Sequence, residues 1–265
     1  MSKVISKDGT EIAYETRGTG PAVILVEGAF GHRSFGFSSH LAELLAPTFT
    51  VYAYDRRGRG DSGNTMPFAV EREIEDIEAL IENAGGSAFV YGISSGACLA
   101  LEGAMQLGSK IRKLALYEPP YNSDQAALPA WMEYRQKLDE LLAADRRGDA
   151  VALFMRFVGM PADQIEEMRK DPMWPVFEAV APTLPYDAAA MGEDHTVPVE
   201  RAAAINVPVL IMDGGANLKL MPFMHATASA LARAIPNAQQ RTLEGQTHDV
   251  NMDILAPILV EFFNS

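Results

Sequence analysis

The stretch that most constrains this chain is Ala88-Phe89-Val90-Tyr91-Gly92-Ile93-Ser94-Ser95-Gly96-Ala97-Cys98-Leu99-Ala100. A short apolar strand runs into Gly-x-Ser-x-Gly, and a helix of small residues follows. A serine hydroxyl meets a base only when it projects from a tight turn, so the positions around it must be small. Gly92 and Gly96 let strand and helix pass close together, with Ser94 on the strained corner. The helix that follows aims its free backbone N–H groups and positive dipole end at the same point, which favours developing negative charge.

The rest of the chain repeats the same strand-then-helix alternation. Val4–Ser6 and Glu11–Thr16 flank Asp8-Gly9, a hairpin dipeptide, and Ala22-Val23-Ile24-Leu25-Val26 reads as a strand covered on both faces. Next come a helix around Phe37–Leu45, a strand at Thr50–Tyr54 and an amphipathic helix carrying Val70, Ile74, Ile77 and Leu80 on one side. Glu71, Glu73, Glu75 and Glu78 are expected on its solvated face. The elbow helix runs to about Leu107, and Lys113–Tyr117 is the next strand. Beyond a long interruption, Val207–Met212 and Gln239–Leu243 are strands, and Met221–Ala234 and Ile254–Phe263 are helices. Such alternation implies a parallel sheet with helices on both faces.

The interruption, residues 120–200, is helical and rich in Met and aromatic residues, among them Trp131, Tyr134, Phe154, Met155, Phe157 and Trp174. It reads as a helical cap inserted into a core made of residues 1–119 and 201–265. Most of those side chains are expected to pack the cap itself and a minority to line a ligand cavity. Asp149 is expected to be the N-cap of the second cap helix.

A serine nucleophile needs a base within hydrogen-bond reach and donors for the oxyanion. Of the five histidines, His248 follows the last strand, at the sheet edge where Ser94 also emerges. His32, His40, His195 and His225 read as surface or cap residues. The expected oxyanion donors are the backbone N–H groups of Ser95, after the nucleophile, and of Ala29, in the loop after the Val23–Val26 strand.

Four motifs together, Gly92–Gly96, Asp55-x-Arg57-Gly58-x-Gly60-x-Ser62, Tyr117-Glu118-Pro119-Pro120 and Gly245-x-x-His248, resemble the capped α/β-hydrolase superfamily. Within it the chain resembles the uncharacterised bacterial α/β-fold hydrolases. The resemblance covers nearly the whole chain. It implies an α/β-hydrolase fold with a mostly parallel eight-stranded sheet, a helical cap after the sixth strand, Ser94 as nucleophile and His248 as base. It does not select a substrate class.

Two positions depart from the family's pattern. Its loop after the third strand usually begins His-Gly, whereas here it begins Glu27-Gly28. Its triad acid usually follows the seventh strand in Gly-x-x-Asp, where this chain has Asn217. An amide orients an imidazole but stabilises its charged form poorly, and such a swap in a serine protease costs about 10⁴ in turnover. Some superfamily members carry the acid at the end of the sixth strand, which implies Glu118 as the partner of His248, with Asp213 as the second candidate.

The net charge of −13 argues against nucleic acid or an anionic membrane as partner. Cys98 is the one cysteine, so no internal disulfide forms, and it reads as a small buried hydrophobe. Arg56-Arg57-Gly58-Arg59 reads as a structural turn with its arginines paired to carboxylates; Gly58-x-Gly60 lacks the rest of a dinucleotide fingerprint. No spacing suits a metal, and no cofactor is called for. With no signal-peptide or membrane-length apolar run, a cytoplasmic location is expected. The expected activity is hydrolysis of an ester, lactone or related acyl bond of a small, fairly apolar molecule. Carbon–carbon bond hydrolysis, a cofactor-free lyase reaction, perhydrolysis, or a binding protein that has lost turnover remain alternatives on the same fold.

Overall fold

The computed structural model describes residues 1–219 and 221–265, the side chain of Asn217 excepted. Eight strands form one sheet: β1 (Ser2–Ile5), β2 (Glu11–Arg17), β3 (Ala22–Val26), β4 (Thr50–Tyr54), β5 (Ala88–Ile93), β6 (Ile111–Tyr117), β7 (Val209–Gly214) and β8 (Ala238–Leu243). Their spatial order is β1-β2-β4-β3-β5-β6-β7-β8. The first two strands make a hairpin, β2 pairs antiparallel with β4, and every later pairing is parallel. The elbow strand β5 therefore lies at the centre, between β3 and β6.

Central strands buried on both faces must be largely apolar, and β3 and β5 are apolar along their whole length, as is β7 as far as Met212. Their alternating side chains feed two cores. On one face Ile24, Val26, Val90, Leu114 and Leu116 meet helices α2 (Val70–Asn83), α3 (Ser95–Leu107) and α10 (Pro222–Ala234). On the other, Val23, Leu25, Tyr91 and Met212 meet α1 (Ser38–Leu45) and α11 (Met252–Asn264).

Between β6 and β7 the chain forms α4 (Leu128–Ala143), α5 (Arg147–Phe157), α6 (Ala162–Met168), α7 (Trp174–Val180), α8 (Leu184–Ala190) and α9 (Val199–Ala202). Helices α4 to α8 gather a third core around Trp131, Tyr134, Val151, Ile165 and Leu184. One residue of the β3 loop, Phe30, joins it, edge-on to Phe154 and Phe177 at 5.1 and 5.2 Å between ring centres. That contact docks the helical segment onto the loop beside the elbow.

The Arg56–Arg59 turn is paired throughout, as its sequence suggested. Arg56 binds Glu73 and Asp187, Arg57 binds Asp76 and Asp8, and Arg59 binds Asp187. This pairing corrects one expectation. Glu73 is not on a solvated face: it is buried, its carboxylate bidentate on Arg56 at 2.7 and 2.8 Å. A buried guanidinium demands a planar anionic partner, and that demand outweighs the helix periodicity. Asp149 is a second correction. It sits inside the first turn of α5, and its carboxylate accepts from Arg146 and Arg169 instead of capping the helix. Cys98 is fully buried. Among the described residues, no helix is long and apolar enough to cross a membrane.

Candidate active site

The corner at Ser94 is strained as the motif requires, with φ 56° and ψ −133°. Its geometry explains both glycines. A Cβ on Gly92 would lie 2.5 Å from the Gly96 carbonyl, and one on Gly96 would lie 2.4 Å from the carbonyls of Val26 and Glu27. No side chain can be accommodated against backbone at those distances. The Ser94 N–H donates to the Tyr117 carbonyl at 3.0 Å, which ties the corner to the end of β6. Helix α3 starts at the next residue, so the Ser95 N–H is one of the donors that a helix start leaves without an intrahelical partner.

His248 lies in the loop between β8 and α11. That loop is fixed from beneath: the Tyr117 hydroxyl donates to the Thr247 carbonyl, and the Ala216 N–H donates to the Gln246 carbonyl at 2.9 Å. The His248 imidazole then meets Glu118, with 2.7 Å between Nδ1 and Oε2. Glu118 is fully buried, one residue past β6, on a backbone of φ 45°. Its N–H donates to Met212 O at 2.9 Å, and its Oε1 accepts the Gly214 N–H at 2.8 Å. With both ends of the residue tied to β7, Oε2 faces the imidazole. Pairing of Nδ1 with a carboxylate puts the ring proton on that nitrogen and leaves Nε2 able to accept one.

Asp213, the other acid candidate, is brought to a different histidine. It accepts from Thr242 Oγ1 at 3.1 Å and Gln240 Nε2 at 3.2 Å, and lies 2.9 Å from His225 Nδ1. The side chain of Asn217, at the family's usual acid position, lies outside the described residues.

Ser94, Ser95, Ala29 and His248 border one cavity of about 930 Å³. Its walls are largely aromatic and thioether. Of the residues singled out in the helical segment, Trp131, Tyr134, Phe154 and Phe157 line it, and Met191, Phe35, Phe37, Met221 and Met224 are among the other apolar side chains there. His195, buried and tilted against Trp131 with 4.8 Å between ring centres, also lines it.

Two of the acidic side chains on the cavity wall, Asp187 and Glu27, were given no site role by the sequence pattern. Asp187, from α8, accepts the Ser95 hydroxyl at 2.8 Å. Glu27, in the place of the family's histidine, accepts the Ser38 N–H at 2.9 Å. Its carboxyl packs so closely on Gly31 and Gly36 that a Cβ there would lie 2.4 and 2.6 Å from its oxygens. Burial pushes the Glu27 carboxyl up to about 7, against smaller opposing effects from the Ser38 hydrogen bond and from Arg59 and Arg56. Glu27-Gly28 could have flagged it, since a carboxylate between a buried strand and a glycine has little water to meet. Among the described residues, no cluster of three or more His, Cys, Asp or Glu side chains could hold a metal ion.

The model of the alpha/beta hydrolase family matches residues 23–257. The crystal structure of an alpha/beta hydrolase from Sphaerobacter thermophilus DSM 20745 superimposes with a TM-score of 0.89 at 53% identity, over 99% of this chain and all of that one. A thermophilic esterase from Thermogutta terrifontis, at 24% identity, shares the fold with a TM-score of 0.75 over 99% of this chain and 97% of its own. The uncharacterized hydrolase YraK of Bacillus subtilis (strain 168) is 33% identical over 115 residues, a stretch spanning 42% of either chain.

Proposed function

The chain belongs to the alpha/beta hydrolase family, and we propose that it is a serine hydrolase acting on an ester, lactone or related acyl bond of a small, uncharged, largely apolar molecule. The observation that carries this reading is the Glu118–His248 pair, placed so that the imidazole borders the same cavity as the strained Ser94. In the reaction, His248 Nε2 takes the proton of Ser94 Oγ as that oxygen attacks the substrate carbonyl. The imidazolium is stabilised by Glu118, whose burial and fixed geometry make the interaction strong. Negative charge on the carbonyl oxygen is received by the N–H groups of Ala29 and Ser95; one such donor is worth about 3–4 kcal/mol in the transition state. Collapse of the tetrahedral intermediate expels the alcohol, which takes the proton back from His248. Water, activated by the same imidazole, then releases the acid and restores the Ser94 hydroxyl.

Residues 120–200 act in this reading as a cap over a core of residues 1–119 and 201–265, with their aromatic side chains enclosing the acyl group. The wall's ionisable side chains support an uncharged substrate: burial favours the neutral form of Glu27, and the charge of Asp187 is balanced by Arg56 and Arg59. A cavity of this size buries a drug-sized molecule.

A panel of p-nitrophenyl esters of increasing acyl length tests the reading. Turnover of uncharged acyl groups, with a length optimum and loss of activity in Ser94→Ala, is the expected result. Equal turnover by Ser94→Ala and the unaltered protein contradicts it.

A further inference from the structure

Asp187 belongs to α8 in the inserted helices, yet its carboxylate is buried against the core. Three donors converge on it: Arg56 Nη1 at 2.6 Å and Ser95 Oγ at 2.8 Å on Oδ1, and Arg59 Nη2 at 2.7 Å on Oδ2. Burial raises the Asp187 carboxyl, but Arg59 and Arg56 outweigh it and hold the group below its ordinary value.

The same arginines grip the loop after β3. Arg56 Nη1 donates to the Glu27 carbonyl at 3.2 Å, and Arg59 Nη1 donates to the carbonyls of Gly28 at 2.5 Å and Gly31 at 3.2 Å. Arg59 is fixed further by its Nε, which donates to Thr183 Oγ1 at 3.0 Å. In a trans peptide the C=O and the N–H point in opposite directions. With the Gly28 carbonyl turned to Arg59, the Ala29 N–H of the same peptide is turned away from it, to the side on which Ala29 lines the cavity. On the other flank, the Ser95 side chain is anchored to Asp187 while its N–H heads α3.

We propose that Asp187 is a positioning residue for the oxyanion site: a single carboxylate delivered by the inserted helices orients both donor peptides, Ser95 through its hydroxyl and Ala29 through Arg59. This rests on the serine-hydrolase reading and deepens it. It makes the helical segment part of the catalytic apparatus, since withdrawing α8 releases both donors together. A buried network of this kind contributes little net stability against an apolar replacement of similar volume. Its value lies in direction, because misdirected donors lose transition-state stabilisation while ground-state binding is kept.

The test uses Ser95→Ala, which deletes the hydroxyl and keeps the backbone N–H, and Asp187→Asn. Each variant is assayed for kcat and KM on the best p-nitrophenyl ester and for inhibition by an alkyl boronic acid, which forms a tetrahedral anion on the serine. Ser95→Ala is expected to lower kcat about three- to tenfold and Asp187→Asn about ten- to a hundredfold, with KM within about twofold. The boronate inhibition constant should rise by the same factor as kcat falls. Unchanged kcat and boronate affinity in Ser95→Ala, or a rise in KM alone, overturns the proposal; if Asp187→Asn does not fold, Ser95→Ala decides. Wild-type turnover that survives Ser94→Ala would instead remove the serine-hydrolase reading, and this proposal with it.

Discussion

Two histidine–carboxylate pairs stand at neighbouring strand ends, and they are nearly equal as isolated pairs. His248 and Glu118 approach to 2.7 Å, with side chains 38% and 0% exposed; His225 and Asp213 approach to 2.9 Å, with side chains 45% and 1% exposed. Neither distance nor burial separates them. The separation comes from what else surrounds the imidazole. His248 is held by a loop over the sheet edge and borders the cavity that Ser94 also borders. His225 rides on α10 and is not among the described residues lining that cavity, although Met221, Phe223 and Met224 beside it are. Asp213 is moreover bound by Thr242 and Gln240 on β8, which makes it part of the packing between β7, β8 and α10. A histidine–carboxylate pair is therefore a candidate for catalysis only where a nucleophile shares its cavity.

The largest expected difference between the pairs lies in their acids. Glu118→Gln should lower ester turnover by about two to four orders of magnitude, because the amide cannot stabilise the imidazolium. Asp213→Asn should leave turnover within about threefold and cost about 1–3 kcal/mol of stability, read from the denaturant midpoint, because one oxygen of a buried, multiply bonded group becomes a donor. The reverse pattern, with Asp213→Asn inactive and Glu118→Gln unaffected, would assign the catalytic role to the other pair.

Glu27 sharpens the contrast from a third direction, since its buried carboxyl meets a backbone amide instead of a histidine. Its pKa is raised from 4.5 to about 7. Between those values the unfolded chain has released the proton while the folded chain keeps it, so stability falls as pH rises and the loss is complete above pH about 7. Relative to Glu27→Gln, which stays neutral, the wild-type protein should lose up to about 3 kcal/mol between pH 5 and pH 8. Melting temperatures of the two proteins at both pH values check this. A gap that does not widen with pH would place Glu27 in a wetter setting than its burial indicates.

Much of the candidate site was legible because it is written in local patterns. Gly92, Ser94 and Gly96 are dictated by the contact between one strand and one helix, and His248 and Glu118 each follow a readable strand. The sheet was legible for a related reason, since strands buried on both faces must be apolar runs. Asp187 was not legible. It lies among helices whose periodicity reports which side is apolar, whereas its partners, Arg56, Arg59 and Ser95, are more than 90 positions away in the chain. Glu73 failed for the same reason. Helical spacing offered it to solvent, and a buried arginine from a preceding turn claimed it. Local rules fix which surface an element presents, but not which distant charge arrives there.

The claim that Ser94 is activated by His248, and not by the similar His225, is tested most directly by fluorophosphonate labelling read by mass spectrometry. An adduct on Ser94 that persists in His225→Ala and vanishes in His248→Ala is the predicted result. No adduct in the unaltered protein, or one that forms equally well without His248, would contradict it.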